Sequence, residues 1–91
     1  MADFRLAQHV SWAVETGGVR IFDGAAGAAV FLSYPQAAIW DLTVRGEAPD
    51  RIVEKLRWIA AVSAEESRTL VMGCLADWLC RHYLVEEAAD G

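Results

Sequence analysis

The sequence predicts an α+β fold in which a three-stranded antiparallel sheet is followed by three helices. Apolar and polar residues alternate from Val10 to Glu15, and a period of two is typical of a half-buried strand. Two more short apolar segments, 19–23 and 28–33, follow turns that contain glycine, which predicts an antiparallel meander. After Pro35 the apolar spacing becomes helical, so the strands precede the helices, as in α+β proteins.

Three helices are predicted after the strands. The first, 37–44, is apolar on two faces, which is typical of a helix packed between neighbours. The second, 49–61, carries one apolar stripe at helical spacing. The third begins at a Ser63-x-x-Glu66 capping box and extends to about Tyr83.

The length and composition indicate one small domain with apolar contact surfaces. We expect the 91 residues to form a single domain, 1–91, with a loose segment at 1–7 and an acidic tail at 86–91. Hydrophobic residues make up 55% of the chain, which is many for so small an interior. Some apolar surface is therefore expected to face a partner.

The net charge of −5 argues against nucleic acid or an anionic membrane as a partner, because both attract clustered basic residues. The longest apolar stretch, 70–79, is too short to span a bilayer. Cys74 and Cys80 lie on different faces of one predicted helix and cannot form a disulfide with each other. A reducing cytoplasm is the expected location.

Nucleophiles and bases are present, but their spacing does not favour catalysis. Cys74 and His82 are about 12 Å apart along the third predicted helix, beyond hydrogen-bond reach. Cys80 and His82 point to different sides of that helix, and the remaining base is His9. Neither a phosphate-binding loop nor a zinc-ligand spacing occurs. We therefore predict a protein that is not an enzyme and that binds no metal and no cofactor.

The third predicted strand, Ala28–Ser33, is expected to be an edge of the sheet. It is apolar and has no Lys or Pro, which usually protect such edges. A peptide could add there as a further strand. Alternatively, the N-terminal segment, a helix or a second copy of the chain covers the edge.

The third predicted helix carries two apolar stripes, and one small core cannot easily cover both. We expect one stripe to pack inside and the other to line a groove, although a wholly buried central helix is the alternative. Trp58 is either an exposed contact residue or, as we favour, a ring packed onto a neighbouring loop. The stripes are Met72, Leu75, Ala76 and Leu79 on one side, and Val71, Cys74 and Trp78 on the other.

Short motifs in the segment 29–56, in this order and spacing, resemble the centre of PqqD-like proteins. The segment Leu79–Val85 is similar to the end of the last helix in that family. The resemblance covers about residues 8–85, which we expect to be the core of the domain. The central motifs are Leu32-Ser33, Ala38-Ile39-Trp40, Gly46 and Ile52-Val53-x-x-Leu56.

The resemblance implies a winged-helix-like fold and a role as a precursor-peptide recognition element. Such proteins bind the leader of a ribosomally made peptide as an added strand. They present it to a modifying enzyme, often a radical SAM enzyme; in the name-giving case the product is pyrroloquinoline quinone. The peptide-binding residues that the resemblance implies are Ala29, Val30, Phe31, Leu32, Ser33, Val71, Cys74, Leu75 and Trp78.

Two other functions remain open. A winged-helix nucleic-acid-binding domain would share the fold, but its recognition helix should be basic. The third predicted helix has only two basic residues, Arg68 and Arg81, and three acidic ones. A self-associating regulatory subunit would pair its edge strand with a second copy, giving a homodimer. Leader-peptide recognition is the function that the sequence predicts.

Overall fold

The computed structural model describes residues 3–87 and confirms the α+β fold. Three consecutive strands form an antiparallel sheet in the order β2-β3-β4, and three helices follow. The elements are β1 (Asp3–Leu6), β2 (Val10–Glu15), β3 (Gly18–Asp23), β4 (Ala28–Ser33), α1 (Gln36–Val44), α2 (Pro49–Ala60), α3 (Ala64–Cys80) and β5 (Leu84–Glu87).

The register of the meander determines which β4 side chains face the helices. Val19 and Ile21 of β3 are almost completely buried, and their β4 partners are Leu32 and Val30. Because side chains alternate along a strand, Leu32 and Val30 share this inner face. Phe31 lies on the outer face, where the Arg20 guanidinium sits 5.2 Å from its ring centroid.

Two strands that the sequence analysis did not predict join the beginning and end of the described chain. The segment expected to be loose contains β1, and β5 includes the first residues of the expected tail. They pair antiparallel, with Leu6 opposite Leu84. Neither strand shows a clear alternation of apolar and polar residues, and each is stabilised by pairing with a strand far away in sequence. Residues 1–2 and 88–91 lie outside the described residues.

The core is centred on three aromatic rings. Trp40 of α1 is fully buried and makes edge-on contacts with Trp78 of α3, at 5.1 Å between centroids, and with Tyr83, at 6.4 Å. Such edge-to-face pairs are favourable beyond the area they bury. These rings therefore join α1, α3 and the segment that leads into β5 in one cluster.

A local signal starts α3, and a reversal of the backbone terminates it. The Ser63 hydroxyl accepts from the Glu66 N–H at 3.1 Å, so the predicted capping box starts α3. The helix ends at Cys80, earlier than predicted, because His82 adopts a φ of 62° and the Tyr83 N–H donates back to the Trp78 carbonyl. This reversal directs the chain into β5. No helix within residues 3–87 is long and apolar enough to cross a membrane.

Candidate functional site

One edge of β4 is open. In the described part of the chain β4 pairs with β3 on one side, and no strand pairs with its other side. The strand contains neither Lys nor Pro, and Phe31 is 39% exposed. An apolar edge with unpaired N–H and C=O groups is a ready template for another strand.

A groove runs between this strand and α3. Its volume is about 350 Å³. α1 contacts both β4 and α3, and its first residue, Gln36, contributes to the groove. Leu32 lines the side that belongs to β4. The lining residues are Leu32, Gln36, Thr69, Leu70, Gly73, Cys74, Asp77 and Trp78.

Only part of the predicted α3 stripe faces this groove. Cys74 and Trp78 line it, but Trp78 is only 2% exposed, so most of its ring belongs to the core. Val71 and Leu75, the other α3 residues of the predicted site, are 0% and 2% exposed and do not line the groove. The reason is the rotation of α3 about its axis, which turns these two side chains into the core, on the side where α3 packs against α1 and α2. Met72, from the opposite predicted stripe, is 50% exposed.

The β4 residues of the predicted site divide between two faces of the sheet. Leu32 lines the groove and Val30 is half-buried beside it on the same face. Ala29, Phe31 and Ser33 are exposed on the other face. The backbones of these three residues form part of β4, but their side chains do not line the groove.

Sequence reasoning missed the α3 residues that form most of the groove wall. Leu70, Gly73 and Asp77 are spaced at i, i+3 and i+7, so they share one helix face. Thr69 lies beside them, one turn before Gly73. The glycine in the interior of the predicted helix, where glycine is unfavourable, is the signal that could have indicated this face.

The groove is mainly apolar, and its one carboxylate, Asp77, forms an ion pair with Arg81. The Arg81 Nε donates to both carboxylate oxygens of Asp77, at 3.1 and 3.0 Å. Burial raises the pKa of the Cys74 thiol, and the negative charge of Asp77 raises it further. Cys74 is therefore a protonated apolar contact at neutral pH rather than a thiolate nucleophile.

The bases lie away from Cys74. His9 and His82 line a different depression, near the β1–β5 ribbon, and His9 lies 3.7 Å from the Asp23 carboxylate. Within residues 3–87, no three His, Cys, Asp or Glu side chains are grouped so that they could hold a metal ion.

A second apolar surface lies elsewhere on the molecule. Trp58 is 80% exposed, so the favoured prediction that its ring packs onto a loop is wrong. Neighbouring Ile59 is also exposed, and with Tyr34 and Val14 it lines depressions that share no residue with the groove. The outward apolar surface expected from the composition is thus present in two places.

The comparisons with known proteins establish the fold. No protein-family model matches the chain, and no curated protein matches it significantly. The structure of TbiB1 in complex with the TbiA(beta) leader peptide is similar with a TM-score of 0.83 and 20% identity, covering 94% of this chain and 99% of TbiB1. A lasso peptide synthetase B1 complexed with the leader peptide is similar with a TM-score of 0.83 and 19% identity, covering 91% of this chain and 98% of that one. At this level of identity the likeness shows that the three chains share one fold over nearly their whole lengths.

Proposed function

We propose that this protein is a non-catalytic recognition element that binds the leader segment of a ribosomally made precursor peptide. The peptide adds as a strand to the open edge of β4, and alternate side chains enter the groove between β4 and α3. The observation that carries the proposal is the juxtaposition of an unpaired apolar strand edge with a groove whose single carboxylate is paired with an arginine.

The physical roles of the two parts differ. In strand addition, main-chain hydrogen bonds supply affinity for any extended peptide, and pockets for alternate side chains supply the specificity. Here the β4 edge offers the main-chain groups. The groove offers apolar contacts from Leu32, Leu70, Cys74 and Trp78. Both named solved structures of this fold contain a bound leader peptide, which supports the same role for this chain.

A separate enzyme would carry out the covalent chemistry on the precursor. Neither histidine lines the groove with Cys74, so within residues 3–87 the groove does not combine this thiol with an imidazole base. The PqqD-like resemblance favours a radical SAM enzyme and pyrroloquinoline quinone or another peptide-derived product. The likeness to a lasso peptide synthetase B1 makes a lasso-peptide-forming enzyme the other candidate. In either case the whole chain, 1–91, acts as one recognition domain in the cytoplasm.

Alternate N-methylation of a bound peptide tests strand addition without changing the protein. A binding peptide is obtained by selection from a displayed random library, and the TbiA(beta) leader serves as a second probe. In an added strand, successive peptide N–H groups point alternately towards β4 and away from it. N-methylation should therefore weaken binding about tenfold or more at every second position and leave the positions between them unaffected, as measured by calorimetry.

Hydrogen exchange locates the bound strand on the protein. Peptide binding should slow exchange in β4 (Ala28–Ser33) and leave exchange in β2 (Val10–Glu15), the opposite edge of the sheet, unchanged. A peptide that is insensitive to N-methylation, or that protects β2 instead of β4, would contradict the proposal. A concentration-dependent dimer with protected β4 amides and no bound peptide would favour self-association.

A further inference from the structure

A glycine occupies the middle of the groove wall on α3. Gly73 lies in the interior of a 17-residue helix, where glycine is less favourable than alanine because it loses more backbone freedom on folding. A Cβ atom built at this position meets no atom within 4 Å apart from its chain neighbours and the backbone of the helix itself. The described part of the fold therefore leaves the space above Gly73 empty.

Packing and backbone conformation explain other glycines in the chain, but not this one. A Cβ on Gly18 would collide with the backbone carbonyl of Leu32, so β3 can approach β4 only without a side chain there. Gly46 has a φ of +89°, which L-residues with a side chain rarely adopt, at the end of α1. Gly73 has a helical backbone and no atom in its way. Its missing side chain has no role within residues 3–87.

The missing side chain leaves a depression in the groove wall. Leu70 and Asp77 lie one turn before Gly73 and one turn after it on the same face, and Cys74 and Trp78 adjoin it. Leu70 and Asp77 are separated by about 10 Å along the helix axis. Side chains on one face of a strand recur about every 7 Å, so this interval has room for one of them.

We propose that Gly73 is a specificity-determining residue that admits one bulky apolar side chain of the bound peptide. This inference rests on the proposed function and adds the requirement that the bound peptide carries a bulky apolar side chain at one position. The space faces Leu70, Cys74 and Trp78, and the carboxylate of Asp77 is already paired with Arg81. A charged peptide side chain would lose hydration against this apolar lining, whereas an apolar side chain would bury its surface.

Two substitutions of Gly73 separate binding from folding. Gly73→Ala should raise the melting temperature by about 2–8 °C, because alanine favours the helix and meets no obstacle. Gly73→Leu fills the depression and should weaken peptide binding by about tenfold to a hundredfold, the cost of leaving one large apolar side chain unburied. Ala76→Leu is the matched control, because Ala76 is exposed on α3 and does not line the groove.

Peptide selection supplies a readout that a change of stability would not produce. Peptides are selected from the same displayed random library on the native chain, Gly73→Leu and Ala76→Leu. The native chain and Ala76→Leu should select a bulky apolar residue at one fixed position. Gly73→Leu should select a small residue at that position, and synthetic peptides of the two kinds should show exchanged preferences for the two proteins in calorimetry.

The outcomes distinguish this inference from the function on which it rests. If the same bulky residue is selected by Gly73→Leu and by the native chain, with equal affinity, Gly73 does not determine specificity. The alternating N-methylation pattern would still support strand addition in that case. If the native chain selects no peptide from the library, both the inference and the proposed function are overturned.

Discussion

Replacement of Trp78 by alanine should destabilise the fold severely, although Trp78 also lines the groove. Its side chain is 2% exposed and contacts the Trp40 ring edge-on at 5.1 Å. Truncation of a buried tryptophan costs about 3–5 kcal/mol, including the cavity left behind. Within such a penalty, about 0.5–1.5 kcal/mol comes from the lost edge-to-face contact with Trp40, apart from the apolar area that is no longer buried. Domains are stable by about 5–15 kcal/mol, so this single change removes a large part of the total.

Urea unfolding followed by circular dichroism measures the effect. With an m-value of about 1.5 kcal/mol/M, the midpoint should fall by about 2–3 M. Trp58→Ala is the matched control, since it removes the same side chain from a site that is 80% exposed. Its free energy of unfolding should change by no more than about 0.5 kcal/mol.

Two results would refute this reasoning. A loss below about 1 kcal/mol for Trp78→Ala would mean that the ring does not stabilise the core. An equal loss for Trp58→Ala would mean that the exposed ring is packed in solution. The expected loss of stability also means that weaker peptide binding by Trp78→Ala is not evidence for a direct peptide contact. Gly73 and its matched control provide the cleaner test.

Three further predictions follow from contacts in the structure. Gly18→Ala should cost about 1–3 kcal/mol of unfolding free energy in urea titrations, because the new methyl group meets the Leu32 carbonyl; unchanged stability would show that β3 and β4 can separate there. Ser67→Ala should cost about 1–2 kcal/mol in the same assay, because the buried hydroxyl donates to the Val53 carbonyl at 2.6 Å; a stability gain would contradict this. At neutral pH, Cys74 should react with iodoacetamide more slowly than the exposed Cys80, because burial raises the pKa of Cys74 and lowers its thiolate fraction. Bound peptide should slow the reaction of Cys74 further. Equal rates by mass spectrometry would argue against its place in the groove.

Local signals were sufficient for the meander and for the start of each helix. The predicted segments 19–23 and 28–33 coincide with β3 and β4 to within one residue, and the Ser63–Glu66 capping box begins α3. Turn glycines, strand alternation and caps act over a few neighbouring residues. Their physical effect can therefore be recognised without knowledge of the rest of the fold.

The β1–β5 ribbon could not be recognised in this way. A strand of four residues shows too few alternations to establish a period, and its stability comes from its partner. That partner lies at the other end of the described chain. The positive φ at His82, which ends α3 and starts the return to β5, is uncommon for residues other than glycine, so the sequence pattern alone did not indicate it.

The sequence by itself determined that an apolar edge strand and a doubly apolar helix are present, because composition and spacing are local properties. Only the tertiary structure decided which side of α3 lines the groove. Its apolar residues surround the helix, so the pattern allows more than one rotation about the axis. Packing against α1, α2 and β5 buries Val71 and Leu75, and it leaves Leu70, Gly73 and Asp77 facing the groove.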